Sequence, residues 1–161
     1  MTRYEIAQLN VGRAVAVFDD PVMADFMGWL AEINALAEQS PAFVWRLQGD
    51  SGNNTDLKVS DDLLFIVNLS VWSSIDALYE FTYRSAHKTV FKRRHEWFEP
   101  LGRPNTVLWW QPAGTTPTAA EALERLERPT TLGPTPEAFS FKERFAAPGG
   151  DGLELRESAT A

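Results

Sequence analysis

The sequence LLFIVNLSVW, residues 63–72, decides the fold because it describes a strand that is largely apolar on both faces. With a period of two residues, one face carries Leu63, Phe65, Val67, Leu69 and Val71. The other face carries Leu64, Ile66, Asn68, Ser70 and Trp72. Each apolar face of a sheet has to pack against another layer. We expect helices of the same chain to cover one face and a second copy of the chain, in a homodimer, to cover the other.

Hydrophobic periodicity also predicts the other elements of the core. Strands are predicted at Tyr4–Val11, Phe43–Gln48 and Asn105–Gln111. A helix is predicted over Pro21–Glu38, because the preceding Asp19–Asp20 supplies an N-cap signal. A second helical block begins after residue 73 or 74, is interrupted near Arg84–Ser85 and continues to about Phe98. This order predicts an α+β protein with the ferredoxin-like βαββαβ arrangement.

We expect one ferredoxin-like domain in residues 1–112, since 161 residues suffice for one substantial core and are few for two. Residues 113–145 are predicted to form a C-terminal appendage on that domain, with a short helix at Ala119–Glu127. The alternating aromatic residues of AFSFKERF, 138–145, predict an added strand or an arm that lies on the body or on a partner subunit. Residues 146–161 are predicted to be a disordered tail.

The composition restricts the partners of the chain. Its net charge of -7 argues against nucleic acid or an anionic membrane surface as the main partner, because both attract basic proteins. No apolar run is long enough to cross a bilayer, and the first residues lack the pattern of a secretory signal. The chain contains no cysteine, which excludes disulfides and thiolate metal sites. We therefore expect a cytoplasmic protein.

Several motifs together give the sequence a resemblance to a known family. They are AQLNVGR (7–13), LAEINALAEQSPAFVWRLQ (30–48), LLFIVNLSVW followed by SSIDALYEFTYRSAH (63–87), and RRHEWFEPL (93–101). The combination resembles the domain-of-unknown-function family 3291 over residues 4–145. That family is similar to the dimeric alpha-beta barrel proteins, which include antibiotic-biosynthesis monooxygenases, haem-degrading monooxygenases and chlorite dismutases. The resemblance implies a dimer with its two sheets face to face and a cavity between sheet and helices in each subunit, but it does not supply a reaction.

Candidate catalytic residues gather in and beside residues 73–101. His87 follows Tyr83 by four positions and begins an apolar stripe, so it is a candidate general acid/base with Tyr83 beside it. Asn68 could present an amide to developing negative charge, and Arg94 could bind a carboxylate or carbonyl group. Each has a structural alternative, because His87 could bond to backbone at the helix interruption and Arg94 could pair with an acid on its helix.

The aromatic residues are mostly predicted to be core, although some could form the wall of a substrate cavity. The candidates for that wall are Trp45, Trp72, Phe91, Trp97 and Trp109. Asn68 and Ser70 share one face of an otherwise apolar strand, which indicates an interior that holds water or a ligand. We expect His95 at the surface. No metal site is predicted, because the two histidines are eight positions apart and no cysteine is present.

These observations leave three functions open. The first is a cofactor-free enzyme of the monooxygenase, isomerase or cyclase type, in which His87 moves a proton on a hydrophobic, aromatic or polyketide-like small molecule. The second, suggested by relatives with the same barrel, is a haem protein with His87 as axial ligand. The third is a ligand-binding or structural dimer without catalysis. The sequence has no phosphate-binding loop and no serine elbow, which sets aside dinucleotide-dependent enzymes and hydrolases.

Overall fold

The structure is a computed structural model that describes residues 2–85 and 87–149. The strands are β1 (Tyr4–Arg13), β2 (Phe43–Arg46), β3 (Phe65–Trp72) and β4 (Thr106–Pro112). The α-helices are α1 (Ala24–Glu38), α2 (Ile75–Arg84), α3 (His87–Lys92) and α4 (Ala119–Leu132). Short 3-10 turns at Pro21–Met23 and Arg94–Glu96 precede α1 and follow α3. The predicted α+β class and βαββαβ order are confirmed.

The sheet is antiparallel and its strands lie in the order β2-β3-β1-β4, so that β1 and β3 form its centre. Their register pairs Asn10 with Asn68 and Gln8 with Ser70. Because side chains alternate along a strand, all four of these polar residues project from the same face. The register therefore concentrates polar side chains at the middle of one face.

Helices α1, α2 and α3 pack against this polar-centred face. Two clusters of buried apolar side chains lie on it. One consists of Ile6, Ala37, Trp72, Ile75, Leu78, Leu108 and Phe139, and the other of Ala14, Met23, Phe26, Ile66 and Trp97. Both helical blocks begin as predicted, because the side chain of Asp20 accepts from the Val22 N–H at 2.9 Å and that of Ser74 from the Ala77 N–H at 3.2 Å. Within the described residues, the helices lack the length and apolar character that crossing a bilayer would require.

The opposite, apolar face of the sheet is covered by the chain itself. Val67, Leu69 and Val71 are each 1% exposed. Helix α4 packs on this face through Ala122 and Leu126, and side chains of the loops beside the sheet complete the cover. The expectation that this face needs a second subunit for its cover is therefore wrong, because the segment after β4 supplies the missing layer. The homodimer itself stays a prediction.

Helix α4 is longer than the predicted Ala119–Glu127 and continues past Pro129. A proline lacks one N–H donor and usually ends a helix, but here it stands in the last turn, where few bonds remain to be lost. The Gly133 N–H closes that turn by donating to the Pro129 carbonyl at 3.1 Å. Gly133 has a φ of +71°, a conformation that glycine adopts without a side-chain clash.

Residues 134–145 form an arm along the outer edge of β4, on the same chain. Phe139 and Leu108 exchange two backbone hydrogen bonds of 2.8 and 2.7 Å, as neighbouring strands do. The indole N–H of Trp110 donates to the Phe145 carbonyl at 2.8 Å. Phe141 packs edge-to-face on two tyrosine rings of α2. Of the predicted tail at 146–161, the part from residue 150 onward lies outside the described residues.

Two local predictions are wrong. Strict alternation puts Phe43 and Trp45 on one face, but the register is irregular between them and Phe43 joins the helix-side cluster. A continuous stripe from His87 to Phe98 is also not formed. Helix α3 ends at Lys92 and the chain tightens into a 3-10 turn, which takes Arg94 off the stripe.

Candidate active site

A small cavity lies between the centre of the sheet and the helices, where the family resemblance implies one. Its volume is about 50 Å³, enough for a few water molecules or a small ligand. The sheet side is lined by Gln8, Asn10, Phe43, Arg46, Asn68, Ser70 and Trp72, and the helix side by Ile33, Asn34, Ala37, Leu78, Phe81, Thr82 and His87. More than half of these side chains are polar, which is unusual for the interior of a small domain.

His87 lies at the break between α2 and α3, which holds its ring in place. The Ser85 hydroxyl accepts from the His87 N–H at 3.1 Å and donates to the Phe81 carbonyl, so it stabilises the turn. The ring Nδ1 of His87 lies 3.0 Å from the carbonyl oxygen of Thr82. Because a carbonyl can only accept, Nδ1 carries the proton and Nε2 keeps its lone pair. The structural alternative for His87, a bond to backbone at the bend, is thus present and also fixes the tautomer that a base requires.

Burial lowers the pKa of His87, and the hydrogen bond to Thr82 only partly opposes this shift. The imidazole is therefore neutral at pH 7. A neutral imidazole with a free Nε2 can accept a proton from a bound molecule.

Polar side chains of the sheet form a hydrogen-bonded chain along the cavity. The indole N–H of Trp72 and the amide N–H of Gln8 both donate to the Ser70 hydroxyl oxygen, at 3.0 and 3.1 Å. Asn10 donates in turn to the Gln8 side-chain oxygen at 3.4 Å. Since the Ser70 oxygen accepts twice, its own proton is available to another acceptor. The side-chain amide of Asn68 makes no hydrogen bond to the other described residues, so it too is available to a ligand.

A larger groove lies outside the cavity, between the end of α1 and α2. Its volume is about 530 Å³, and it is lined by Leu36, Gln39, Ser40, Ala77, Glu80, Phe81, Arg84 and Ser85. Phe81 belongs to both linings, and its ring packs 5.2 Å from the rings of both Trp72 and His87. The Phe81 ring therefore stands between the open groove and the inner cavity.

Comparisons with known proteins now place the chain in a family. The family model for a domain of unknown function, DUF3291, matches residues 5–154. The chain belongs to the DUF3291 family. This confirms the family resemblance predicted from its motifs. Among curated proteins, the DUF3291 chain has no significant match.

Solved structures of two proteins are similar to this DUF3291 chain. One is the crystal structure of SnoaB, a cofactor-independent oxygenase from Streptomyces nogalater, with 17% identity, coverage of 70% of this chain and 95% of that chain, and a TM-score of 0.46. The other is a protein of unknown function from Nitrosomonas europaea, with 7% identity, coverage of 73% and 97%, and a TM-score of 0.44. At such low identity, the function of this chain has to be inferred from its own residues.

Of the predicted catalytic residues, His87 and Asn68 line the cavity, whereas Tyr83 and Arg94 do not. Tyr83 packs against the rings of Phe91 and Phe141 at 5.7 and 5.6 Å, and burial raises the pKa of its phenol. Arg94 is exposed, donates to the Phe91 carbonyl at 2.8 Å and lies over the Phe91 ring. These two side chains stabilise the ends of α2 and α3 instead.

The expected aromatic wall is not found around this cavity, since only Trp72 of its predicted members is in the described lining. Trp45 and Trp109 pack on the opposite face of the sheet, among the side chains under α4. Trp97 is buried in the cluster with Phe26 and Ile66, and the ring of Phe91 lies 6.2 Å from that of His87. His95 is exposed, as expected.

Sequence reasoning missed five polar residues of the cavity, namely Gln8, Asn10, Asn34, Arg46 and Thr82. A signal for the first two was present, because they alternate with Ala7, Leu9 and Val11 as Asn68 and Ser70 alternate with apolar residues of β3. Asn34 and Arg46 carried no comparable signal, because a polar residue on a helix or an edge strand is usually solvated.

The cavity does not fit a haem group. A volume of about 50 Å³ is far below the roughly 300–1,000 Å³ of pockets that enclose large ligands, and His87 is not in the lining of the larger groove. The second function predicted from the sequence therefore gains no support from the cavity. Among residues 2–85 and 87–149, no group of three or more metal-ligating side chains comes together.

Proposed function

We propose that this protein is a small-molecule enzyme in which Nε2 of His87 removes a proton from the substrate. The observation that carries the proposal is the contact of 3.0 Å between Nδ1 and the Thr82 carbonyl oxygen. It gives the ring the one tautomer that leaves Nε2 as a base in a cavity.

The available hydrogen-bond donors support a reaction in which negative charge forms on a substrate oxygen. When Nε2 takes a proton from a carbon next to a carbonyl group, the electrons of the C–H bond form a C=C bond and the carbonyl oxygen becomes an enolate. The Ser70 hydroxyl and the Asn68 amide are donors that such an oxygen could accept from. The Thr82 carbonyl, which accepts from Nδ1–H, stabilises the imidazolium that forms.

This proton abstraction is common to the three predicted reaction types. Return of the proton to another atom completes an isomerisation, attack by the enolate carbon on a second carbonyl completes a cyclisation, and reaction of the enolate with O₂ begins an oxygenation. The proposal is therefore made for the shared step.

The sizes of the two spaces favour a small reacting group. About 50 Å³ does not hold an aromatic polyketide, so only a compact carbonyl compound, or the reacting end of a larger one, fits beside His87. The hydrophobic part of a larger substrate would have to lie in the outer groove, on the other side of the Phe81 ring. Rotation of the Phe81 ring would join the two spaces.

Deuterium exchange tests the step without knowledge of the natural substrate. The protein is incubated in D₂O with acetone or with pyruvamide, and loss of the methyl proton signals is followed by NMR. We expect wild type to accelerate exchange over buffer, and His87→Gln to lower the protein-dependent rate by about 100-fold or more, the usual contribution of a general base.

His95→Gln is the matched control, because it removes the exposed histidine and leaves His87 in place. We expect this variant to exchange protons at the wild-type rate. If folded wild type does not accelerate exchange, or if His87→Gln exchanges at the wild-type rate, the proposed role of His87 as a base is wrong.

A further inference from the structure

The cavity contains a positive charge that the proposed reaction does not use. Arg46, the last residue of β2, is the one formally charged side chain among the described lining residues when His87 is neutral. Its side chain is 14% exposed, so much of it is removed from water. A buried charged group is costly unless its donors are paired, so an acceptor of opposite sign at the remaining N–H groups of Arg46 would lower that cost.

Only one edge of the Arg46 guanidinium is occupied. Its Nε donates to the Glu38 carboxylate at 2.7 Å, and this is the single hydrogen bond that Arg46 makes to the other described side chains. Neither terminal nitrogen is among the buried, unpartnered atoms of the described residues, so both have access to the cavity or to water. Glu38 does not line the cavity, and 47% of its side chain is exposed. Glu38 therefore holds the guanidinium from outside while the terminal N–H groups stay available.

Apart from Arg46, the polar side chains of the cavity lining are neutral when His87 is neutral. Asn34 and Asn68 are amides, and Ser70 is a hydroxyl. A planar guanidinium with two free donors matches a carboxylate, which can accept two parallel hydrogen bonds. The volume of about 50 Å³ restricts the ligand to a few non-hydrogen atoms around that carboxylate.

We propose that the cavity selects a small carboxylic acid, in which Arg46 binds the carboxylate and the carbonyl end lies toward His87. This inference rests on the proposed function for the identity of the site. It names the substrate class as a short 2-oxo acid or a close relative of one. In that arrangement Arg46 determines specificity and takes no part in proton transfer.

Binding measurements without turnover test the inference. Pyruvate and pyruvamide have nearly the same shape, but only pyruvate carries a carboxylate. Each is titrated into the ¹⁵N-labelled protein, and the Kd is obtained from amide chemical shifts. We expect wild type to bind pyruvate at least about ten-fold more tightly than pyruvamide, because hydrogen bonds to charged groups are the stronger ones. Equal affinities, or no binding of pyruvate, would overturn the inference.

Two variants assign the preference to Arg46. We expect Arg46→Gln to remove the preference for pyruvate and leave the pyruvamide Kd unchanged. Glu38→Gln is the matched control, because it removes the same ion pair while keeping the guanidinium, and it should keep the preference. If Arg46→Gln does not fold, Arg46→Lys is tested instead. This variant keeps the charge but lacks the two parallel N–H donors of the guanidinium, so its preference for pyruvate should be smaller than in wild type. A preference that survives in Arg46→Gln, or wild-type strength in Arg46→Lys, contradicts the assignment.

Two further outcomes separate this inference from the proposed function. Pyruvate binding that depends on Arg46, with no proton exchange, retains the carboxylate site and refutes the role of His87. Proton exchange that depends on His87, with no preference for pyruvate, retains the role of His87 and refutes the carboxylate site. Inorganic phosphate is the second anion in the titration, and tighter binding of phosphate than of pyruvate would refute the choice of a carboxylate.

Discussion

The two faces of the sheet are built by the same four strands, yet they differ in chemistry. Under α4, Val67, Leu69 and Val71 are each 1% exposed and belong to one cluster of buried apolar side chains. On the other face Gln8 is 8% exposed and Ser70 is 6% exposed, so polar groups are buried almost as deeply. These groups have to bond to one another to remain there.

This difference indicates that the apolar face mainly stabilises the fold, whereas the polar face holds the candidate site. The apolar face can be stabilised by area alone, and any well-packed layer would cover it. The polar face gives up apolar contact at its centre and surrounds a histidine and an arginine with hydrogen-bonding groups. A face that departs from the apolar pattern at its centre is expected to hold the site there.

Truncation on the apolar face should have the largest effect on stability. Trp109 is fully buried under α4, and we expect Trp109→Ala to lower the free energy of unfolding by about 3–5 kcal/mol, measured by urea denaturation. Trp45→Ala, on the same face but only partly buried, should cost less. The Trp109 indole N–H has no partner among the described residues, so Trp109→Phe should cost much less than Trp109→Ala. Equal losses for the two Trp109 variants would contradict this account.

Removal of one hydroxyl on the polar face should have an intermediate effect. Ser70→Ala removes the acceptor shared by Gln8 and Trp72, and we expect a loss of about 1–3 kcal/mol because buried donors are left unsatisfied. Ser73→Ala, three positions along the chain and exposed, is the control and should be nearly neutral. A Ser70→Ala protein as stable as wild type would show that the polar network is not a structural requirement.

The smallest expected effect concerns pH. The pKa of His87 is lowered in the folded state from its ordinary 6.5, so protons bind the unfolded chain more readily. The resulting stability is fully present above pH 6.5 and is lost as the pH falls through the folded-state pKa. We expect wild type to lose stability relative to His87→Gln below that pH, by at most about 1.4 kcal/mol per pH unit. If His87→Gln shows the same pH dependence of stability as wild type, the lowered pKa of His87 is refuted.

The sequence predicted the fold well because each element had a strong local signal. The alternation in residues 63–72 and the caps at Asp20 and Ser74 all have counterparts in the structure. The cover of the apolar face was not predictable in the same way. Helix α4 contains Pro129 and belongs to a segment rich in proline and threonine, and its docking depends on a long-range contact that no local pattern encodes.

The candidate site could be predicted only in part. His87 and Asn68 were accessible to reasoning because a histidine and an amide stand out in apolar segments. Tyr83 was misplaced because helical spacing was extended across the break between α2 and α3, and Arg94 because it was extended past the end of α3 at Lys92. Arg46 was overlooked because the number of residues separating it from His87 gives no hint that both line one cavity.

The exchange of backbone bonds between Phe139 and Leu108 has a consequence for the behaviour of this chain at high concentration. The edge strands of a sheet have unpaired backbone N–H and C=O groups that can pair with strands of other molecules. Long, uncovered edge strands therefore promote fibril growth. Here the arm partly covers the edge strand β4, and the other edge strand, β2, has only four residues. The arm therefore lowers the tendency of other copies of the chain to pair with this edge of the sheet and aggregate. This effect does not depend on any reaction that takes place between the sheet and the helices.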